Sequence, residues 1–290
     1  MLSVLIPVYN YSVEELVSQL ADQLTGENIQ FELLLLDDHS TQFANQYGKF
    51  ENLEHVSILK SDKNLGRSKA RNALAKKAKY DLLLFLDCDS LPVRDNFIES
   101  YLSHAEAKKV LVGGTRYKNN YAHSERLHWL YGTKRESLDQ AGFHSNNFLI
   151  AREDFLNVQF DESLTQYGHE DTLLGIHLKE EGIEVERIDN PVFHCGLEDN
   201  ETFLKKALMA VENAWDLTEE GKIEADDIRL IKTYTRWTSS WHGKLLLSFI
   251  RKNESRWEKI CLSENPRLYA LDFLKICKLD ELKRSRSLAD

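Results

Sequence analysis

Four short apolar runs, LSVLIPV at 2–8, FELLLL at 31–36, HVSILK at 55–60 and DLLLFL at 81–86, alternate in the first third of the chain with helical patterns at 13–24 and 67–78. Alternation of this kind constrains the fold strongly. Parallel strands cannot be joined by a tight turn, so each needs a crossover that lays a helix on the sheet. The expectation is an α/β domain with a mainly parallel sheet and helices on both faces. In such sheets ligands bind beyond the carboxyl ends of the strands. Polar clusters follow three of the runs: PVYN at 7–10, DDHS at 37–40 and DCDS at 87–90.

Length and charge bound the rest. A chain of 290 residues with 42% hydrophobic side chains can bury an ordinary core. Its apolar runs are far shorter than the roughly 18 residues a membrane-spanning helix requires. The amino terminus, MLSVLIPVYN, carries no basic leader and passes straight into a strand pattern, so a cytoplasmic location is expected. Cys88, Cys195, Cys261 and Cys277 lie far apart, which favours reduced thiols over a disulfide framework or a zinc ribbon. A net charge of -10 opposes nucleic-acid binding. The charge is uneven. Residues 229–290 hold 14 lysines and arginines against 7 aspartates and glutamates, whereas residues 1–228 hold 23 against 40.

The middle of the chain offers strand patterns in VLVGG, NNFLIA and IEVERI, and a helix expected to start near Glu170 and Asp171 in GHEDTLLG. From 201 onward the pattern is helical. Leu230, Tyr234, Trp237, Trp241, Leu245 and Phe249 recur three or four apart as one stripe, with six basic residues around them. Two readings suit it: a helical cap whose aromatics enter the core, and a peripheral contact with the inner face of an anionic membrane. The division expected is an α/β domain over 1–200 and a basic, aromatic helical extension over 201–290.

The DCDS cluster raises a problem of charge. Asp87 and Asp89 at the end of a buried strand repel each other, and each would take up a proton unless a cation sits nearby. A solvated strand end is the plain alternative. Its position, and the second acidic pair Asp37 and Asp38 after another strand, favour a hard divalent ion, Mg²⁺ or Mn²⁺, carrying a diphosphate.

The segments SVLIPVYN, LLLLDDHS, NLGRSKARNALAKKAKYDLLLFLDCDS and GHEDTLLG, in this order over residues 2–196, resemble the inverting family 2 glycosyltransferases of the GT-A type. The resemblance implies a Rossmann-like nucleotide-sugar domain. It places Pro7, Tyr9, Asp37 and Asp38 at the nucleoside, with Asp38 facing a uracil N–H, and brings Gly66 and Arg71 to the base or phosphates. It sets Asp87 at the ribose and metal, Asp89 on the metal, and His194 as a further metal or diphosphate contact. Asn146 and Asn147 would meet the donor sugar or the acceptor.

An inverting transfer also needs a carboxylate to take the proton of the acceptor hydroxyl. The resemblance gives that role to Asp171, with Glu170 in acceptor or structural contacts. The implied reaction moves a sugar from a nucleotide donor, a UDP-sugar, to a glycan or lipid-linked glycan. A non-catalytic nucleotide-binding scaffold of the same fold stays open. A sugar nucleotidyltransferase is disfavoured, because PVYNYS lacks a glycine-rich phosphate loop.

Overall fold

The computed structural model describes residues 1–139 and 142–287. Ten strands form two sheets: β1 (Leu2–Val8), β2 (Phe31–Asp37), β3 (Val56–Lys60), β4 (Leu82–Leu86), β5 (Ser90–Pro92), β6 (Lys109–Val112), β7 (Thr115–Tyr117), β8 (Asn147–Ala151), β9 (Glu184–Arg187) and β10 (Val192–His194). The large sheet has the order β3-β2-β1-β4-β8-β6-β9, and a small one the order β5-β10-β7. Strands β1 to β4 are parallel, as the alternation of runs and helices requires. Strand β8 runs antiparallel between β4 and β6, and β9 is parallel to β6.

The helices are α1 (Glu14–Gly26), α2 (Ala44–Tyr47), α3 (Arg67–Lys77), α4 (Phe97–His104), α5 (Arg126–Lys134), α6 (Arg152–Val158) and α7 (Glu170–Glu180). After them come α8 (Asn200–Glu219), α9 (Arg229–Thr238), α10 (Trp241–Lys252), α11 (Glu254–Cys261) and α12 (Leu268–Ser287). Strand periodicity sorts the core into two layers. Leu2, Val4, Ile6 and Val8 of β1 pack on one face with Leu16, Val17 and Leu20 of α1 and Tyr101 of α4. Leu5 points the other way, with Leu74 of α3, Phe85, Phe148 and Leu174 of α7.

The chain divides into two units. The first comprises Met1–Lys118, Glu136–Thr165 and Glu170–Gly196 and holds both sheets. The second comprises Asn119–Arg135, Gln166–His169 and Leu197–Asp290, and its core joins Leu127, Phe203, Ile250, Trp257, Leu271 and Leu274. None of the described helices is long and apolar enough to cross a membrane.

The stripe at 230–249 is not one helical face. The helix breaks at Ser239 and Ser240, and the Ser240 hydroxyl caps α10 by accepting from the Gly243 amide at 3.1 Å. The break changes the phase of the pattern. Tyr234 is buried, whereas Trp241, Leu245 and Phe249 are exposed, so the cap reading fails for this half of the stripe.

Candidate active site

The sheet order fixes where a site can form. From β1 the chain winds outward through β2 and β3, then returns to place β4 on the other side of β1. Such a reversal opens a crevice at the carboxyl ends of the two diverging strands. Here β1 pairs with β4 only from Leu2 to Leu5, while its pairing with β2 continues to Val8. Pro7, which has no amide hydrogen to give, falls just after the β4 ladder stops. Tyr9, half exposed, follows at the mouth of the crevice.

The β1 and β2 exits are tied together by the last residue of the PVYN cluster, which was not among the candidate site residues. Asn10, at φ 51°, accepts from the amides of Thr41 and Gln42, each at 2.8 Å, and donates its own amide to Ser40. Asp37 is buried and accepts from the Ser40 amide at 2.9 Å. Asp38 is buried too, and its two oxygens accept from the amides of Leu65 and Gly66 at 2.6 and 2.9 Å. It therefore fixes the loop into α3 before it does anything for a ligand. Gly66 enters that helix at φ 82°, a left-handed conformation that glycine adopts without cost.

Helix α3 sends two arginines, one turn apart, toward the acidic rim. Arg71 is 2% exposed, ion-paired to Asp87 at 2.5 Å, and lies over the Phe160 ring. Arg67, which the sequence reading passed over, pairs with Glu170 at 3.4 Å. Its spacing of four from Arg71 was the available signal.

The two carboxylates of DCDS are thus separated in role. Asp87 belongs to Arg71. Asp89 faces His194, with Oδ1 3.6 Å from the imidazole Nδ1. This meeting comes from the small sheet, where β5 runs antiparallel to β10 and sets Ser90 opposite His194. Burial opposes charge on both groups, yet the pair holds Asp89 below its usual range and raises His194 to about 9. Gly196 completes the enclosure, since a Cβ there would lie 2.2 Å from Asp89 Oδ2. Burial and the two neighbouring aspartates push the Cys88 thiol up, so it is no nucleophile at neutral pH.

Of the expected metal set, Asp89 and His194 lie side by side while Asp87 pairs with Arg71, and among the described residues no group of three or more histidine, cysteine, aspartate or glutamate side chains is placed to hold a metal ion. The residues fit a cation as a pair of donors. Asp89 Oδ1 is buried with no hydrogen bond among the described residues, and once a cation displaces the proton that the raised His194 carries at neutral pH, the carboxylate and the imidazole make a half-shell for a divalent ion.

Glu170 and Asp171 open α7 with contrasting surroundings. Burial alone would raise the Glu170 carboxyl, but Arg67 and Arg71 hold it below its usual range. Burial pushes Asp171 up to about 6, and the Glu170 charge adds to the rise, while His144 and Arg71 oppose it. His144 Nδ1 lies 3.8 Å from Asp171, and its Nε2 lies 3.1 Å from Asp139. No local pattern marks this Asp139, His144 and Asp171 row, because the three are assembled from two segments.

Asn146 and Asn147 part company. Asn146 donates to Thr115 Oγ at 2.7 Å and accepts the Asp87 amide through its backbone, beside the site. Asn147 is fully buried: its amide oxygen accepts from Tyr101, and its amide nitrogen donates to the carbonyls of Gly114 and Asn190. It is a core residue, its side chain enclosed and taken up by these bonds, whereas Asn146 lies in the turn just before β8.

A crevice at the β1 and β4 ends, lined by aspartates after β2 and β4, is what a nucleotide-sugar domain presents. Sequence comparison matches residues 3–163, more than half the chain, to glycosyl transferase family 2, and the chain belongs to that family. The uncharacterized glycosyltransferase YfnE of Bacillus subtilis (strain 168) is 27% identical over 196 residues, covering 61% of this chain and 49% of that one. An uncharacterized glycosyltransferase of Haemophilus influenzae is 35% identical over 92 residues, covering 31% and 29%. The chain thus spans about half or less of the curated relatives it matches. Among solved structures, the mannosyltransferase PcManGT from Pyrobaculum calidifontis, in complex with GDP-Man and Mn²⁺, superposes with a TM-score of 0.58 at 12% identity, over 97% of this chain and 86% of that one. The fold is GT-A, with helices added at the carboxyl end.

Proposed function

We propose that this chain transfers a sugar from a nucleoside diphosphate donor to a hydroxyl of a glycan or lipid-linked glycan, with inversion at the anomeric carbon. The observation that carries the reading is the division of labour among carboxylates in one crevice. His194 holds the Asp89 carboxyl below its usual range, whereas burial pushes Asp171 up to about 6. Carboxyl groups whose surroundings push their pKa values apart are suited to different tasks.

In this reading the nucleoside lies against Pro7, Tyr9 and the Asp37 and Asp38 loop. Asp38 keeps a second lone pair on each oxygen after binding the Leu65 and Gly66 amides, which leaves it an acceptor for a base N–H. Arg71 ion-pairs with Asp87 at the ribose end, and Asn146, held by Thr115, faces the sugar. Asp89 and His194 would hold a divalent cation, Mn²⁺ or Mg²⁺, whose charge offsets the negative charge growing on the leaving diphosphate.

The bond changes are those of a single displacement. The acceptor oxygen bonds to the anomeric carbon as the carbon to phosphate-oxygen bond breaks, and that electron pair stays on the nucleoside diphosphate. The hydroxyl proton passes to Asp171, which a pKa of about 6 leaves ionised and ready at neutral pH. His144, backed by Asp139, orients the carboxylate and keeps it from rising further.

The donor base is assigned as uracil on the family resemblance, and GDP is the comparison to run, since PcManGT was solved with GDP-Man. The test is calorimetry of UDP and GDP with and without Mn²⁺, on the parent and Asp89→Ala, followed by turnover with donor sugars. Metal-dependent UDP binding that Asp89→Ala abolishes is expected. Nucleotide binding with no turnover of any donor would sink the transferase reading in favour of a binding protein.

A further inference from the structure

Helix α10 turns an apolar row away from its own unit. Trp241, Leu245 and Phe249 are spaced four apart and are 67%, 61% and 52% exposed, with Leu246 beside them. Exposed apolar side chains in a contiguous row mark interaction surfaces. The rotation of the helix is fixed from below. Gly243, Leu247 and Ile250 form its buried side, and Gly243 sits so close to the end of α9 that a Cβ would lie 2.2 Å from the Trp237 carbonyl oxygen. With that contact and the Ser240 cap, α10 cannot roll its outer row inward without a clash.

We propose that this face of α10 docks on an anionic lipid bilayer surface. Charge selects the occupant. Residues 229–252 contain six lysines and arginines and no acidic residue. On α10 itself Lys244 and Lys252 are exposed and have no carboxylate partner among the described residues, whereas Arg251 is paired with Asp280. A Trp, Leu and Phe row with lysines at its margin is the arrangement that inserts rings at the headgroup level while ammonium groups meet lipid phosphates.

A two-fold contact between two copies of the chain through this row would instead set Lys244 and Lys252 against their own equivalents, with no acid on either helix to relieve them.

The experiment is flotation of the full chain with vesicles of phosphatidylcholine alone and of phosphatidylcholine mixed with phosphatidylglycerol, at low and high salt. The parent is expected to float with the mixed vesicles only, and less at high salt. Trp241→Ser, Leu245→Ser and Phe249→Ser combined should weaken vesicle binding about tenfold or more, and Lys244→Glu with Lys252→Glu should abolish the preference for anionic lipid. All five positions are exposed, so unchanged thermal unfolding verifies that the variants fold. Absence of flotation by the parent, or equal flotation by the folded triple variant, overturns the proposal. Self-association of the parent in sedimentation that the triple variant loses, without flotation, overturns it in favour of a second copy. Nucleotide binding, measured separately, is independent of every outcome.

Discussion

Arg71 and Asp87 form an ion pair at 2.5 Å in which the arginine is almost wholly buried and the aspartate looks into the crevice. The pair resolves the repulsion that DCDS poses on paper: the first aspartate is neutralised from α3, the second from β10. Removing one partner strands the other. Arg71→Ala should cost about 3 kcal/mol, at the low end for a broken buried pair because Asp87 is partly exposed. Urea unfolding of Arg71→Ala, Asp87→Ala and the double variant checks this. Additive losses across that cycle would show that the two side chains do not support each other.

Asp171 sets a pH limb. It must be ionised to accept a proton, so the transfer rate should rise with pH through about 6 and then level off. Glu170, His144 and Arg71 are the charged groups that act on it. Asp171→Asn should be inactive while nucleotide binding persists. A rate profile that is flat from pH 5 to pH 8 would remove Asp171 from the base role.

The same shift has a stability sign. A carboxyl whose folded pKa lies above its unfolded value contributes stability below the unfolded pKa, and that contribution is lost as pH rises through the folded value near 6. At neutral pH the ionised Asp171 is therefore a burden. Asp171→Asn should raise stability at pH 7.5 by about 2 kcal/mol and leave it nearly unchanged at pH 3, below both pKa values. Denaturant curves at the two pH values decide it.

His144 lowers the Asp171 pKa by its nearby charge, so its loss should move the acid limb upward. For His144→Ala the expected signature is a reduced kcat at pH 6.5 that recovers at pH 8, with the donor KM unchanged. A defect equal at both pH values would make His144 a structural residue only.

Gly196→Ala isolates space from backbone. Gly196 is not among the glycines with positive φ, so an alanine there is strained only by its Cβ, which would fall 2.2 Å from Asp89 Oδ2. The carboxylate must swing away from His194. The folded variant should lose metal-dependent nucleotide binding, and retention of parent affinity would show that Asp89 is not needed where it stands.

The course of the chain from β1 to β4 was readable in the sequence. Runs such as LSVLIPV and DLLLFL state their own strands, and their alternation with helices dictates parallel neighbours, because only a crossover returns the chain in the same direction. That places PVYN, DDHS and DCDS on one rim before any contact is known. The helical pattern at 67–78 and the helix start near Glu170 were legible for the same local reason.

What the sequence determined by itself is therefore what lies within one turn or one strand of each residue: the strands, the helices and the polar ends they present. Partnership was decided only by the tertiary structure. Asp89 meets His194 because β5 pairs with β10, His144 reaches Asp171 across two segments, and Asn147 turns inward while Asn146 stays at the site. On α10 the turn at Ser240 resets the helical phase, so residues that look like one buried stripe divide into a core face and an outward row. Periodicity reports which face a residue occupies within its own element. What that face meets depends on pairings between segments far apart in the chain, and only the folded sheet and helices fix those distances.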